Sequence, residues 1–180
     1  MRTFLAIEMS EGIRKAVNTV IQDEKKKNLP IKWVEFENLH ITLKFLGEID
    51  DQKKNEIMPL ITEITRGFIP FTVSLSGIGC FPGPRNPRVI WVGVQEGGEK
   101  MIELAERLEN NLARIGFKKE EKKFHPHLTF GRVKGYCNVD EILAKTLAPE
   151  PFTVDSITLF KSTLKPGGPV YEGLQRFRFG

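Results

Sequence analysis

Two four-residue segments constrain this chain more than anything else in it: His40-Ile41-Thr42-Leu43 and His127-Leu128-Thr129-Phe130, 87 positions apart in 180 residues. In a strand, residues i and i+2 share a face, so each histidine projects with its threonine while Ile41, Leu43, Leu128 and Phe130 turn the other way into a core. Each segment is a polar pair on an apolar-backed strand. Two such strands, one in each half of the chain, predict a pseudo-symmetric protein of two lobes whose motif strands line one cleft and present two imidazoles to a shared ligand.

The rest of the chain is read around these strands. Arg2 to Met9 spells a strand, after which Ser10 can cap a helix with Ile13, Ala16, Val17, Val20 and Ile21 at helical spacing, ended by Lys25-Lys26-Lys27. Lys32-Trp33-Val34 is short and extended. The alternation from His40 to Phe45 predicts a strand, and Asp50 then caps a second helix with Ile57, Leu60, Ile61 and Ile64 on one face. A strand over Phe71 to Leu75 leads to a stiff loop, Phe81-Pro82-Gly83-Pro84-Arg85-Asn86-Pro87, whose prolines exclude regular structure. Arg88 to Val94 follows as a strand. The clearest helix repeats Met101, Leu104, Ala105, Leu108, Leu112 and Ile115 and stops at Gly116. Beyond it come a strand over Phe124 to Val133 and a short helix over Val139 to Lys145. Strands over Phe152 to Leu164 and Val170 to Phe179 close the chain, joined across Pro166-Gly167-Gly168. The string is mixed α and β.

Composition narrows the class. With 40% hydrophobic and 28% charged side chains, disorder and fibrous repeats are excluded and one ordinary domain, residues 1–180, is expected. No run approaches the roughly 18 apolar residues of a membrane helix. The opening MRTFLAIEMSEGIRK has only a short apolar stretch before Glu8 and no small-residue cleavage pattern, so a soluble, cytoplasmic protein without membrane attachment is expected. Cys80 and Cys137 match neither a disulfide framework nor a CxxC pair, which excludes a cysteine-built structural zinc and suits a reducing compartment. The net charge of +4 is compatible with an anionic partner. Eighteen Glu against five Asp, with four Gln, is an amide-poor balance that hints at a thermophilic source.

All three histidines of the chain lie in the two motifs or, for His125, two residues ahead of the second. A phosphodiester attacked by water needs a base for the water and an acid for the departing ribose oxygen, and imidazole, with an ordinary pKa of about 6.5, can serve as either near neutral pH. The hydroxyls of Thr42 and Thr129 and a nearby cation would hold the non-bridging oxygens. Arg132, five residues after His127, is off its face of an unbroken strand and can be that cation only if the chain bends at Gly131.

The two segments resemble the duplicated H-x-T-x signature of the two-histidine (2H) phosphoesterase superfamily. One branch is matched in order along essentially the whole chain: the bacterial and archaeal RNA 2′,3′-cyclic phosphodiesterases, also called 2′-5′ RNA ligases. The matching stretches are Lys32-Trp33-Val34, Asn38-Leu39-His40, Lys44-Phe45-Leu46-Gly47-Glu48, Phe81-Pro82-Gly83-Pro84-Arg85, Phe124-His125-Pro126-His127, Gly131-Arg132 and Leu164-Lys165-Pro166-Gly167-Gly168. The resemblance implies a bilobed α+β fold with antiparallel sheets lining a central cleft and helices packed outside. It also implies no metal or other cofactor, and an RNA substrate ending in a 2′,3′-cyclic phosphate, tRNA fragments among them, opened by water to a 2′-phosphate. The same chemistry can join RNA ends through a 2′-5′ linkage. Carried over residue by residue, His40 gives the proton to the 3′ oxygen, His127 activates water, and Thr42 and Thr129 bind phosphate; no obligate protein partner is implied.

Other readings of the same residues stay in view. His125 can orient a loop, contact RNA or take part directly. His40, His125 and His127 could together ligate zinc, as His-x-His on a strand does at some zinc sites, although a metal site gives no reason for the two threonines. A non-catalytic RNA-binding module fits the mild basicity but lacks the arginine-rich or exposed aromatic pattern such modules show. Arg85 and Arg88 read as loop solvation, Lys25 to Lys27 and Lys118 to Lys123 as solvated helix ends, and Trp33, Phe45 and Phe130 as core.

Overall fold

The computed structural model describes all 180 residues. Strand β1 (Arg2–Glu8) leads into helix α1 (Glu11–Lys25), where Ser10 Oγ accepts from the Ile13 amide at 3.3 Å and satisfies one of the free donors of the first turn. A short strand β2 (Ile31–Trp33) and a 3-10 turn at Phe36–Asn38 precede β3 (His40–Glu48), the first motif strand. Helix α2 (Asp51–Arg66), capped by Asp50 Oδ1 at 2.7 Å from the Lys53 amide, delivers β4 (Phe71–Phe81). The second half follows with β5 (Val89–Glu96), α3 (Gly98–Arg114), the second motif strand β6 (His127–Val133), the single-turn α4 (Asp140–Leu143), β7 (Phe152–Val154), β8 (Ser156–Lys165) and β9 (Gly168–Arg178).

Two antiparallel sheets result, ordered β3-β1-β8-β9 and β2-β6-β5-β4-β7. They are built alike. β1 runs through α1 to β3, which returns beside it, and β5 runs through α3 to β6, which returns beside it. The chain also crosses between the sheets: β2 and β4, from the first half, pair with β6 and β5, and β8, from the second half, pairs with β1. Neither sheet can form from its own half of the chain. The core-facing sides of the motif strands, with Ile41, Leu43, Leu128 and Phe130, join the apolar faces of the four helices in one cluster that also takes in Leu5, Ile13, Ile57, Leu104 and Ile142. The helices thus cover the sheet faces opposite the histidines.

Three strands differ from the sequence reading. β4 continues past Leu75 to Phe81 through an irregularity at Gly77, which takes a φ of +78° that glycine tolerates. β6 starts at His127 rather than Phe124, because Pro126 has no N–H to give a ladder. The run Phe152 to Leu164 is two strands broken at Asp155, β7 pairing with β4 and β8 with β1, so the chain crosses between sheets there. Alternation reports which residues share a face; it carries no information on which sheet a strand joins.

Candidate active site

The two motif strands match beyond their sequence. Across β3, Thr42 faces Ala6 and Lys44 faces Leu5, leaving Leu43 as an extra residue; across β6, Thr129 faces Trp91 and Gly131 faces Ile90, leaving Phe130 extra. The same bulge at the same place reverses the alternation after each threonine. Phe45 and Arg132 therefore turn to the side of their histidines and line the cleft. This overturns the assignment of Phe45 to the core: it is 56% exposed. Lys44 goes the other way and is buried, its ammonium held by Glu109 Oε1 at 2.9 Å and the Lys118 carbonyl at 2.8 Å. Gly131 serves close packing, since a Cβ there would lie 3.1 Å from both Ile31 and Trp33 on β2.

Both imidazoles are oriented by the same device. His40 Nδ1 lies 2.6 Å from the Asn38 carbonyl, and His127 Nδ1 lies 2.5 Å from the His125 carbonyl, each two residues back. A carbonyl only accepts, so both Nδ1 atoms carry hydrogen and both Nε2 atoms are left for chemistry. At His40 that nitrogen is 2.8 Å from Thr42 Oγ1. The two rings, both threonines and Arg132 line one cleft of about 380 Å³ between the sheets. His40 stands against Phe4 and edge-on to Tyr171, with ring centroids 4.9 and 5.3 Å away. This apolar packing removes water from the ring, and the Arg132 and Arg14 charges add to the effect, so the His40 pKa falls from the ordinary 6.5 to about 4 against the opposing pull of the Asn38 carbonyl. Burial lowers His127 as well.

His125 does not share the cleft. Its exposed ring lies over Phe81 and Trp91, 5.4 Å from each, and its contribution to the site is its carbonyl. No three His, Cys, Asp or Glu side chains come together in an arrangement that could hold a metal ion. Trp33 and Phe130 are buried and stacked at 6.1 Å, as expected of core, although Trp33 also contributes to the cleft wall. Sequence reasoning missed Arg2, Ser162 and Tyr171, which line the cleft from β1, β8 and β9. Their only signal lay in strand alternation: Arg2, Ser162 and Tyr171 form one cross-strand row, two residues along from the row of Phe4 and Phe160. Asn38 was also unread in this role; besides its carbonyl on His40, its side-chain amide donates to the Pro169 carbonyl at 2.9 Å and ties the β8–β9 hairpin to the first motif.

Comparison with known proteins agrees with this geometry. The family model of the 2′-5′ RNA ligase superfamily matches residues 12–165. A Thermotoga maritima protein named RNA 2′,3′-cyclic phosphodiesterase is 40% identical over 99% of this chain and 96% of its own, and one of the same name from Archaeoglobus fulgidus is 38% identical over 98% and 99%. Among solved structures, the Thermus thermophilus protein TT0787 superposes with a TM-score of 0.87 at 29% identity, covering 99% of this chain and 98% of its own. E. coli LigT in apo form gives 0.80 at 27% identity over 99% and 96%. With the fold, the duplicated motif and a full-length match in agreement, this chain belongs to the 2′-5′ RNA ligase superfamily.

Proposed function

We propose that this protein, working as one two-lobed unit over residues 1–180, hydrolyses RNA ends carrying a 2′,3′-cyclic phosphate to 2′-phosphate ends by metal-free acid–base catalysis. The observation that carries this reading is the pair of imidazoles, each fixed at Nδ1 by a carbonyl and each leaving Nε2 to one cleft that also holds two hydroxyls and an arginine. Water attacks phosphorus and gives its proton to His127 Nε2. The bond from phosphorus to the 3′ oxygen breaks, and that oxygen takes the proton from His40 Nε2, leaving a 3′-hydroxyl and a 2′-phosphate. Thr42, Thr129 and Arg132 hold the non-bridging oxygens, on which charge grows. A 5′-hydroxyl of a second RNA in place of the water would give a 2′-5′ linkage by the same transfers.

His40 enters this cycle as an acid only when protonated, and in the free cleft burial favours its neutral form. The negative charge of the bound cyclic phosphate reverses that balance, so the proton is taken up with the substrate. The lining of the cleft comes from both lobes of this chain, which supports a reading with no obligate protein partner. Free Cys80 and Cys137 suit a cytoplasmic site of action, where tRNA fragments with cyclic ends fall within the substrate class. The decisive experiment supplies a short RNA with a 2′,3′-cyclic phosphate end after dialysis against a chelator and identifies the product isomer. Turnover to the 2′-phosphate at an undiminished rate is expected. Activity lost on chelation and restored by zinc would overturn the two-histidine mechanism, and a 3′-phosphate product would overturn the stated direction of ring opening.

A further inference from the structure

Three cations line the cleft, Arg2, Lys32 and Arg132, against one acid, Glu35, and none of the three is ion-paired within the protein. A cyclic phosphate carries one negative charge, and the bulge at Phe130 brings Arg132 to it. Arg2 and Lys32 stand elsewhere. Ala6 faces Thr42, and Arg2 lies four residues farther along β1, about 13 Å at the usual strand rise. Lys32 faces Arg132 from the edge strand β2, one strand farther from β5, and its ammonium approaches the hairpin, 3.5 Å from where a Cβ on Gly168 would be. Arg2 reaches the same hairpin from the other sheet, facing Ser162, which in turn faces Tyr171. The two cations therefore flank one end of the cleft, and neither forms an ion pair within the protein: Glu48, which faces Arg2 from β3, is bound to the N-terminal ammonium at 3.2 Å.

We infer that Arg2 and Lys32 form a second phosphate station that takes the phosphodiester on the 5′ side of the terminal nucleotide, so that the protein recognises an RNA chain rather than a cyclic mononucleotide. This rests on the reading given under Proposed function. With the cyclic phosphate between the two histidines, the rest of the RNA leaves through its own 5′ phosphate, the next anion along the chain. The station accounts for two exposed cations on opposite lobes that the reacting phosphate does not use. The polyphosphate tail of a free nucleotide offers the same chemistry, and the experiment separates the two.

The test compares kcat/KM for uridine 2′,3′-cyclic phosphate, the same compound bearing a 5′-phosphate, and a diuridine ending in the cyclic phosphate. Tenfold or greater preference for the second and third compounds, expressed mainly in KM, is expected of the wild type. Arg2→Gln and Lys32→Gln, both at exposed positions, should each shrink that preference. Each should also flatten the log–log salt dependence measured on a longer RNA, by roughly 0.7 per lost contact. Equal kcat/KM for all three compounds would overturn the inference while leaving the hydrolase reading intact, as would variants that slow all three alike. If ATP competes with the cyclic mononucleotide and each variant weakens that competition while a 5′-phosphate on the substrate brings no gain, the station belongs to free nucleotides and the inference falls. Hydrolysis of none of the compounds by the wild type would instead sink the cyclic phosphodiesterase reading, and the station with it.

Discussion

Arg132 reaches the cleft because Phe130 is an extra residue on its strand, and Phe45 reaches it because Leu43 is. Both histidines and both threonines were legible from their spacing, since i and i+2 share a face in any regular strand. What followed each motif was not, because an alternation rule assigns the wrong face to every residue past an unrecognised bulge. Burial of the two rings makes the pH dependence specific. His40 titrates at about 4 and burial holds His127 below the ordinary imidazole range, so a mechanism that needs one ring protonated and the other neutral loses its active form when both rings are protonated and again when both are neutral. A plot of kcat/KM, which reports the free enzyme, should be bell-shaped with its maximum below pH 6.5 and should fall tenfold per unit on the alkaline side. The kcat profile should lie at higher pH, because the bound anion favours imidazolium in both rings. Coincident profiles with a maximum above pH 7 would contradict the buried-ring account. His40→Ala or His127→Ala should cost on the order of 10² to 10⁴ in rate, and Thr42→Ala or Thr129→Ala less, each removing hydrogen bonds to phosphate rather than a proton-transfer group.

Among the elements, helices were read closely because their faces repeat over several turns: Met101, Leu104, Ala105, Leu108 and Leu112 of α3 are all buried. Strand ends were read less well, since they depend on partners. β4 extends to Phe81 because β5 lies beside it along that length, and β7 parts from β8 because their partners lie in different sheets. That pairing of β4 with β5 also places Gly79 opposite Trp91, and a Cβ at Gly79 would sit 2.3 Å from the indole. The same indole supports His125 and His127, with centroids 5.4 and 6.3 Å away. Gly79→Ala should therefore cost about 1–3 kcal/mol in stability by overpacking and should lower activity by displacing the platform beneath the second motif. Gly12→Ala, within α1 and facing open space, is the matched control and should be neutral or stabilising by up to about 1 kcal/mol. Urea denaturation of both variants, with turnover measured on the folded protein, checks the pair; a Gly79→Ala protein as stable and active as the control would show that the indole can move freely.

At the scale of the whole molecule, the exchange of β4 and β8 between sheets means that neither lobe keeps its sheet when the other opens, and the shared core follows from the same exchange. A single cooperative unfolding transition is the consequence, and the cleft histidines are linked to it. His40 has a pKa of about 4 when folded and the ordinary 6.5 when unfolded, so between these values the unfolded chain binds the additional proton. Stability therefore rises with pH across this window: it is complete above pH 6.5 and is lost as pH falls from 6.5 toward 4. The shift on His127 has the same sign and adds to it. With a limiting slope of about 1.4 kcal/mol per pH unit, His40 alone should remove about 2 kcal/mol between pH 7 and pH 5, where few carboxylates titrate. His40→Gln keeps a donor for the Asn38 carbonyl and carries no titrating ring, so it should lose correspondingly less stability over that interval even if it is less stable than wild type at pH 7. Urea unfolding of both proteins at pH 7 and pH 5 measures the difference. Parallel losses in the two would mean that the ring stays solvated in the free cleft, and the proton uptake assigned to substrate binding would then have no origin in burial.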